Sequence, residues 1–418
     1  MRETLSKAGF VSISAYLPAK KLSVSFAKKL VSFLRSHTLL PEEYIRFIED
    51  EGVLPGSVET NEDGWISKPW YDAWVKSLSE KKQKDPFQGA EERRRVPLDP
   101  DSVRSSIYPH PMLPSDAETL AGAMAICCAG IDPDSIDLVI SHSQVPDRPL
   151  PENASLIQHK LKLRNAGAYG VDTCCSSFVT MTEIACSLIS SGVKKNILII
   201  SSFIDSHVID RSTHFSVDTG DASVAAIIST PVDGKGFLAS HSTSHGSRHD
   251  GIIYQRRTPL LLKRIDSGPD YSQTFVTFFN PAANKEIAQN AAIDLKYVVD
   301  KSLEKAGLSV SDIDFLLTHQ PVVWAGDVWR ESIGVSPERF YQSFKKYGNI
   351  ATCSAAVNLL ESIELGLVKE NDKVIFASSG AGENHISLVM ELSSQLINNV
   401  LKTLSQTTKE FSNEFSRN

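Results

Sequence analysis

The chain has 418 residues, 41% of them hydrophobic and 22% charged, an ordinary globular composition with material for two core-bearing halves. Its formal net charge of −7 offers no positive field to a polyanion, which argues against DNA or RNA as a partner. No run approaches the roughly 20 apolar residues that span a bilayer, and Met1 to Phe10 lacks the apolar centre of a secretory signal, so a cytoplasmic protein with no membrane partner is expected.

Taken from the N-terminus, residues 25–87 read as a helical, polar insertion in which Trp65, Trp70 and Trp74 are packing residues. Arg93 to Arg95 form a basic cluster. Leu138 to Ile140 is a short apolar run of the kind that becomes a buried strand. The segment Tyr169-Gly-Val-Asp-Thr-Cys-Cys-Ser-Ser-Phe-Val then runs into a helix over Ser176 to Ser191, which stops before Gly192. Ile197 to Ile200 is a second apolar run. His241, His245 and His249 recur every fourth residue, but the stretch is rich in Ser and Gly and reads as strand and loop, so no metal is expected. Phe315 to Leu317 leads to His319, Asn349 lies in the loop Lys-Tyr-Gly-Asn before another helix, and Val374 to Phe376 leads to Ser-Ser-Gly-Ala-Gly. Leu392, Leu396, Val400 and Leu404 mark an amphipathic C-terminal helix. The six cysteines show neither CxxC pairs nor zinc-finger spacing, so reduced thiols are expected.

The chain also resembles itself. Ala129 to His142 (AGIDPDSIDLVISH) aligns with Ala306 to His319 (AGLSVSDIDFLLTH) 177 residues later, and Cys175 to Ser202 aligns with Cys353 to Gly380 at 178. Two such matches in one order predict an internal duplication. Each half alternates apolar strands with helices, so two similar sheets packed around shared central helices are expected, with parallel or mixed strands buried on both faces.

Cys175 stands at the start of a helix, where free N–H groups and the positive end of the helix dipole favour a thiolate. His319 closes a strand and Asn349 sits in a loop, positions where site residues of α/β folds gather. The blocks DTCCSSF, THQP, YGN followed by SAA, and SSGAG occur in the order and approximate spacing of one family. Over roughly Lys84 to Leu392, plus a first strand near Phe10 to Leu17, the chain resembles the β-ketoacyl-acyl carrier protein synthase III group of the thiolase superfamily.

That resemblance implies an α/β thiolase fold with duplicated halves and two mixed sheets in αβαβα layers. One half spans 1–230 and carries the nucleophile, the other spans 231–392 and carries His and Asn, and 393–418 form a helical extension. It implies an acyltransferase in which Cys175, three residues before Phe178, takes an acyl group from acyl-CoA or acyl carrier protein. His319 and Asn349 would then act as neutral donors to the enolate of a second thioester, and the Cys175 and Gly382 N–H groups as the oxyanion hole. Phe178, Leu150 at a dimer interface and Arg94 toward coenzyme A phosphates or a carrier would bind substrate. A homodimer without cofactor or metal is implied, and Cys353 is the duplicate of Cys175 in a packing role. Gln320-Pro321-Val322 and Trp324 depart from the family pattern where a carrier-contacting arginine is expected. With the insertion, this points to a specialised member from polyketide or related natural-product synthesis. Three other readings stay open: acyl transfer to an alcohol or amine, a papain-type hydrolase, and a non-catalytic partner of an active ketosynthase.

Overall fold

A computed structural model describes residues 7–60, 92–97, 111–207, 218–256, 274–277 and 280–404. Trp65, Trp70 and Trp74 lie outside the described residues. The helices are α1 Val24–His37, α2 Glu42–Glu51, α3 Pro114–Ala129, α4 Ala154–Lys160, α5 Ser177–Ser190, α6 Pro281–Ala306, α7 Ala325–Ile333, α8 Phe344–Tyr347, α9 Ser354–Glu364 and α10 Ser394–Leu401. The strands are β1 Gly9–Tyr16, β2 Ser57–Thr60, β3 Glu92–Arg95, β4 Leu138–Ser143, β5 Gly167–Gly170, β6 Ile197–Phe203, β7 Ala222–Ser229, β8 Phe237–Ser244, β9 Ile253–Arg256, β10 Thr274–Thr277, β11 Phe315–Thr318, β12 Lys373–Gly380 and β13 Asn384–Glu391.

The predicted duplication is visible in the strand order. One sheet runs β1-β7-β6-β4-β5 and the other β8-β13-β12-β11. Starting from β1 or from β8, the first two pairings are antiparallel and the third parallel. Both sheets are therefore mixed, as expected. Every residue of β1 and β6 is buried, which explains why Ile197 to Ile200 reads as a continuous rather than an alternating apolar run.

Three hydrophobic clusters define five layers. The largest lies between the sheets and joins α5 and α9 to strands of both, including Phe10, Phe178 and Phe376. A second packs α1, α2 and α3 on the outer face of the first sheet, and a third packs α6 and α7 on the outer face of the second. This is the αβαβα arrangement.

Two local expectations change. Within residues 25–87 the described part is not helical throughout, because β2 pairs antiparallel with β3. The arginine cluster is thus a strand, with Arg93 and Arg95 fully buried. The C-terminal helix ends at Leu401, and it docks on β1, where Ser393 Oγ donates to the Phe10 carbonyl at 3.1 Å and Asn399 Nδ2 to the Val11 carbonyl at 2.9 Å.

Glu118 is buried in α3, where its carboxyl accepts from Ser202 Oγ at 2.5 Å, from Asn153 Nδ2 at 2.8 Å and from Ser143 Oγ. Burial outweighs these donors and pushes its pKa up to about 8. The folded chain therefore keeps a proton that the unfolded chain releases near pH 4.5, and the associated stability falls as pH rises through about 8, by on the order of 4 kcal/mol. Glu118→Gln should remove this slope. Denaturant unfolding at pH 5 and pH 9 checks it, and an identical pH dependence in both proteins would refute a protonated Glu118.

Candidate active site

Two turns of the same shape face each other at the centre of the fold. Cys174–Ser176 and Ala351–Cys353 are single helical turns that lead into α5 and α9. They are 177 residues apart, so the counterpart of Cys175 is Thr352, and Cys353 corresponds to Ser176. The expected pairing of Cys175 with Cys353 is off by one. Cys353 is fully buried, as a packing residue would be, with its sulfur 3.5 Å from the Ser201 and Ala222 carbonyls.

Each turn starts with a residue in the left-handed region, Cys174 at φ 55° and Ala351 at φ 44°. An L residue resists that conformation, and here a side chain two positions earlier holds it. Asp172 Oδ1 accepts from the Cys174 N–H at 2.7 Å, and Asn349 Oδ1 accepts from the Ala351 N–H at 2.8 Å. With its oxygen spent on the turn, Asn349 keeps its Nδ2 as a free donor. The Asn349 loop is itself pinned, its N–H donating to the Asp218 carbonyl at 2.5 Å. Gly348, at φ 71°, permits this approach, since a Cβ there would run into the Asp218 carbonyl.

His319 follows β11 and is buried, with its Nδ1 3.0 Å from the Ala351 carbonyl oxygen. A carbonyl only accepts, so Nδ1 carries the proton and the Nε2 of the neutral ring is an acceptor. Burial lowers the His319 pKa to about 4, which keeps the ring uncharged at neutral pH. Neutrality agrees with the sequence expectation, but a standing donor at Nε2 does not. His319 and Asn349 thus meet at Ala351. The cysteine turn joins them where Ser378 Oγ donates to the Cys175 carbonyl at 3.0 Å, and where the Phe178 N–H donates to Thr352 Oγ1 at 3.0 Å.

The cysteines act as a pair. Their sulfurs are 3.9 Å apart, and Gln144 Nε2 donates to Cys174 Sγ at 3.2 Å. The hydrogen bond from Cys175, against the cost of burial and aided by Gln144, lowers the Cys174 pKa to about 7. The same contact, with burial and the neighbouring charge, holds Cys175 well above its ordinary value. The lowering expected at the cysteine turn therefore belongs to the pair, which releases one proton near neutrality because the second thiol steadies the ionised first. In Cys174→Ala the single thiol loses this partner, so iodoacetamide alkylation, which in the intact pair rises with pH through about 7, should shift toward the ordinary thiol range. Peptide mapping of alkylation rates against pH tests this, and an unchanged profile would show that the sulfurs ionise independently.

The Ala381 N–H, one residue before the expected Gly382, is close enough to both sulfurs to favour their ionised forms. Gly380 brings it there, because a Cβ on Gly380 would strike the Thr173 carbonyl and Ser176. Two other expected residues do not line this centre as anticipated. Phe178 is fully buried and stacks on Phe10 with ring centroids 6.0 Å apart. Arg94 is committed to the Pro18 carbonyl at 2.9 Å and Glu92 at 3.3 Å, and its guanidinium lies over the Tyr347 ring, so it is not poised for a phosphate. Leu150, expected at a dimer interface rather than in its own chain's site, is 85% exposed on the single chain. Gln144, Asp172 and Thr352 were missed, although an offset of 177 pairs Asp172 with Asn349 and His142 with His319.

Two family models match the chain, 3-oxoacyl-[acyl-carrier-protein] synthase III over residues 169–246 and its C-terminal counterpart over residues 303–392. A β-ketoacyl-[acyl-carrier-protein] synthase III from Symbiobacterium thermophilum is 30% identical over 271 residues, which cover 64% of this chain and 80% of that protein. The chain belongs to the β-ketoacyl-[acyl-carrier-protein] synthase III family of the thiolase superfamily. Solved structures agree on the fold. The synthase III from Aquifex aeolicus superposes with a TM-score of 0.66 at 21% identity, covering 92% of this chain and all (100%) of that one. A priming β-ketosynthase of the R1128 polyketide pathway gives 0.65 at 19% identity, covering 94% and 98%. Synthase III membership places the chain among the condensing ketosynthases, acyltransferases by class. Among the described residues no helix is long and apolar enough to cross a membrane.

Proposed function

We propose that this synthase III relative takes an acyl group from acyl-CoA or an acyl carrier protein onto Cys175. It then joins that group to a malonyl- or β-ketoacyl-thioester in polyketide or related natural-product synthesis, as a homodimer. The observation that carries this reading is the Ala351 latch, which ties His319 and Asn349 to one loop beside the cysteine turn.

In acyl loading, Cys175 Sγ attacks the thioester carbonyl while the Cys175 and Ala381 N–H groups meet the oxygen that becomes negative. His319 Nε2 takes the proton that leaves Cys175 and returns it to the departing thiol, so loading is balanced in charge and protons. In condensation, loss of CO2 from a malonyl-thioester, or of the α-proton of a β-ketoacyl-thioester to His319 Nε2, leaves an enolate whose α-carbon attacks the acyl carbon, and Cys175 leaves as thiolate. The donor for the enolate oxygen is Asn349 Nδ2, which is free because Oδ1 is engaged. Retention of that donor favours carbon–carbon bond formation over transfer to an alcohol or amine, which makes no enolate.

Incubation with a panel of acyl-CoA and acyl carrier donors, with and without malonyl- and β-ketoacyl-thioesters, tests the reading by product mass. Chain-elongated ketones that require both thioesters are expected. Only free acid, ester or amide would overturn it.

A further inference from the structure

We propose that His245, Asp294, His385 and Glu383 bind one divalent transition-metal ion of the zinc class beside the turn that carries Ala381. The residues come from separate parts of the chain: the end of β8, the middle of α6, the start of β13 and the β12–β13 turn. His245 Nε2, an Asp294 carboxylate oxygen and His385 Nε2 all lie within 4.8 Å of one another. The nearest donor pairs are His245 Nε2 to Asp294 Oδ1 at 3.4 Å, His385 Nε2 to Glu383 Oε1 at 3.2 Å and His385 Nε2 to Asp294 Oδ2 at 3.9 Å. Tetrahedral ligands bonded at about 2.0–2.1 Å sit about 3.3 Å from one another, the spacing of the His245–Asp294 and His385–Glu383 pairs, and the remaining donors draw in on an ion.

Hydrogen bonding supports the same reading. His385 is fully buried, and its Nε2 has no hydrogen-bond partner although two carboxylates face it. Both carboxylate oxygens of buried Glu383 are likewise without a hydrogen bond. Buried polar atoms left in this state are costly, and a proton on Nε2 does not relieve them, because it is not aimed at either carboxylate. An ion lying off both lone pairs does. On the other side of the ring Nδ1 is 2.8 Å from Ser379 Oγ, an outer contact that orients a ligating imidazole.

Arg248 shares the cluster and divides it. Its Nη2 donates to Asp294 Oδ2 at 2.9 Å and its Nε is 3.0 Å from Glu383 Oε2, which leaves Asp294 Oδ1 and Glu383 Oε1 facing the imidazoles. Two carboxylates against one guanidinium leave an excess negative charge on the acidic and basic groups, which favours a cation. His245 is 37% exposed and provides the way in from solvent. Nitrogen and carboxylate ligands suit zinc and its neighbours rather than calcium or magnesium. Because Glu383 lies two residues after Ala381, the ion would stiffen the backbone donor at the cysteine pair. The spacing of His241, His245 and His249 pointed to the wrong partners, since of the three only His245 takes part and the other ligands come from elsewhere in the chain.

Chelator-treated full-length protein should bind one equivalent of Zn2+ by calorimetry, melt at higher temperature with Zn2+ than with chelator, and give the visible absorption of tetrahedral Co2+. His245→Ala and His385→Gln should each weaken binding about 10- to 100-fold, while the double variant Cys174→Ser, Cys175→Ser should bind as before. If His385→Gln does not fold, His245→Ala at the half-exposed position carries the comparison. No saturable binding, or binding that survives the histidine changes but is lost with the thiols, would overturn the site. Because this readout is metal binding, it stands or fails apart from the proposed reaction.

Discussion

Cys175→Ala should form no acyl adduct with any thioester that labels the wild-type chain, and turnover should fall by at least about 10³-fold, the scale for loss of a covalent nucleophile. Intact mass after incubation with the donor reads this directly. Cys174→Ala is the companion, because the two sulfurs are only 3.9 Å apart and Cys174 is the more readily ionised. It should keep the adduct. If the adduct instead vanished with Cys174 and survived without Cys175, the nucleophile would be the first cysteine of the pair. A charge resting on Cys174 does not make it the attacking atom. Attack depends on which sulfur the Ala381 and Cys175 N–H groups can serve once the carbonyl arrives, and helix α5 begins directly behind Cys175.

Asn349→Ala should separate the two half-reactions. Loading at Cys175 should persist within a few-fold, while condensation should drop by about 10²- to 10³-fold, the usual result of deleting one oxyanion donor. His319→Ala should slow loading, and condensation with a β-ketoacyl-thioester, because its Nε2 takes the proton in each. Single-turnover loading and condensation, measured apart, distinguish these patterns, and equal losses in both steps for Asn349→Ala would contradict its assignment. The asparagine also holds Ala351 in the left-handed region through Oδ1. Asn349→Asp is therefore a useful partner: it keeps the turn's acceptor and removes the donor, so it should load normally and still fail to condense. With its pKa near 4, His319 should add no inflection to the loading profile between pH 5 and pH 9.

Much of the architecture was legible in one dimension because duplication leaves a periodic trace. The matched segments at 129 and 306 became β4 and β11 with their preceding turns, and the strand order of the second sheet repeats that of the first. Buried parallel strands, being apolar on both faces, were easy to see in Leu138 to Ile140 and Ile197 to Ile200. Arg93 to Arg95 misled for the opposite reason. Charge in a sequence suggests solvent, and only pairing with Ser57 to Thr60 shows that this strand is turned inward. The second repeat was read at 178 rather than 177 because two cysteines invited alignment, whereas the backbone aligns left-handed Cys174 with left-handed Ala351.

By itself the sequence determined the family, the α/β class and the doubling of the chain, since these follow from residue types, their order and their period. The tertiary structure alone decided which nitrogen of His319 holds the proton, that Ala381 rather than Gly382 reaches the sulfurs, and that His245 and His385 share a cluster. Each of these turns on which atoms of distant segments come within a few ångströms, the range over which a hydrogen bond or a metal ligand acts. No periodicity in a chain encodes that range.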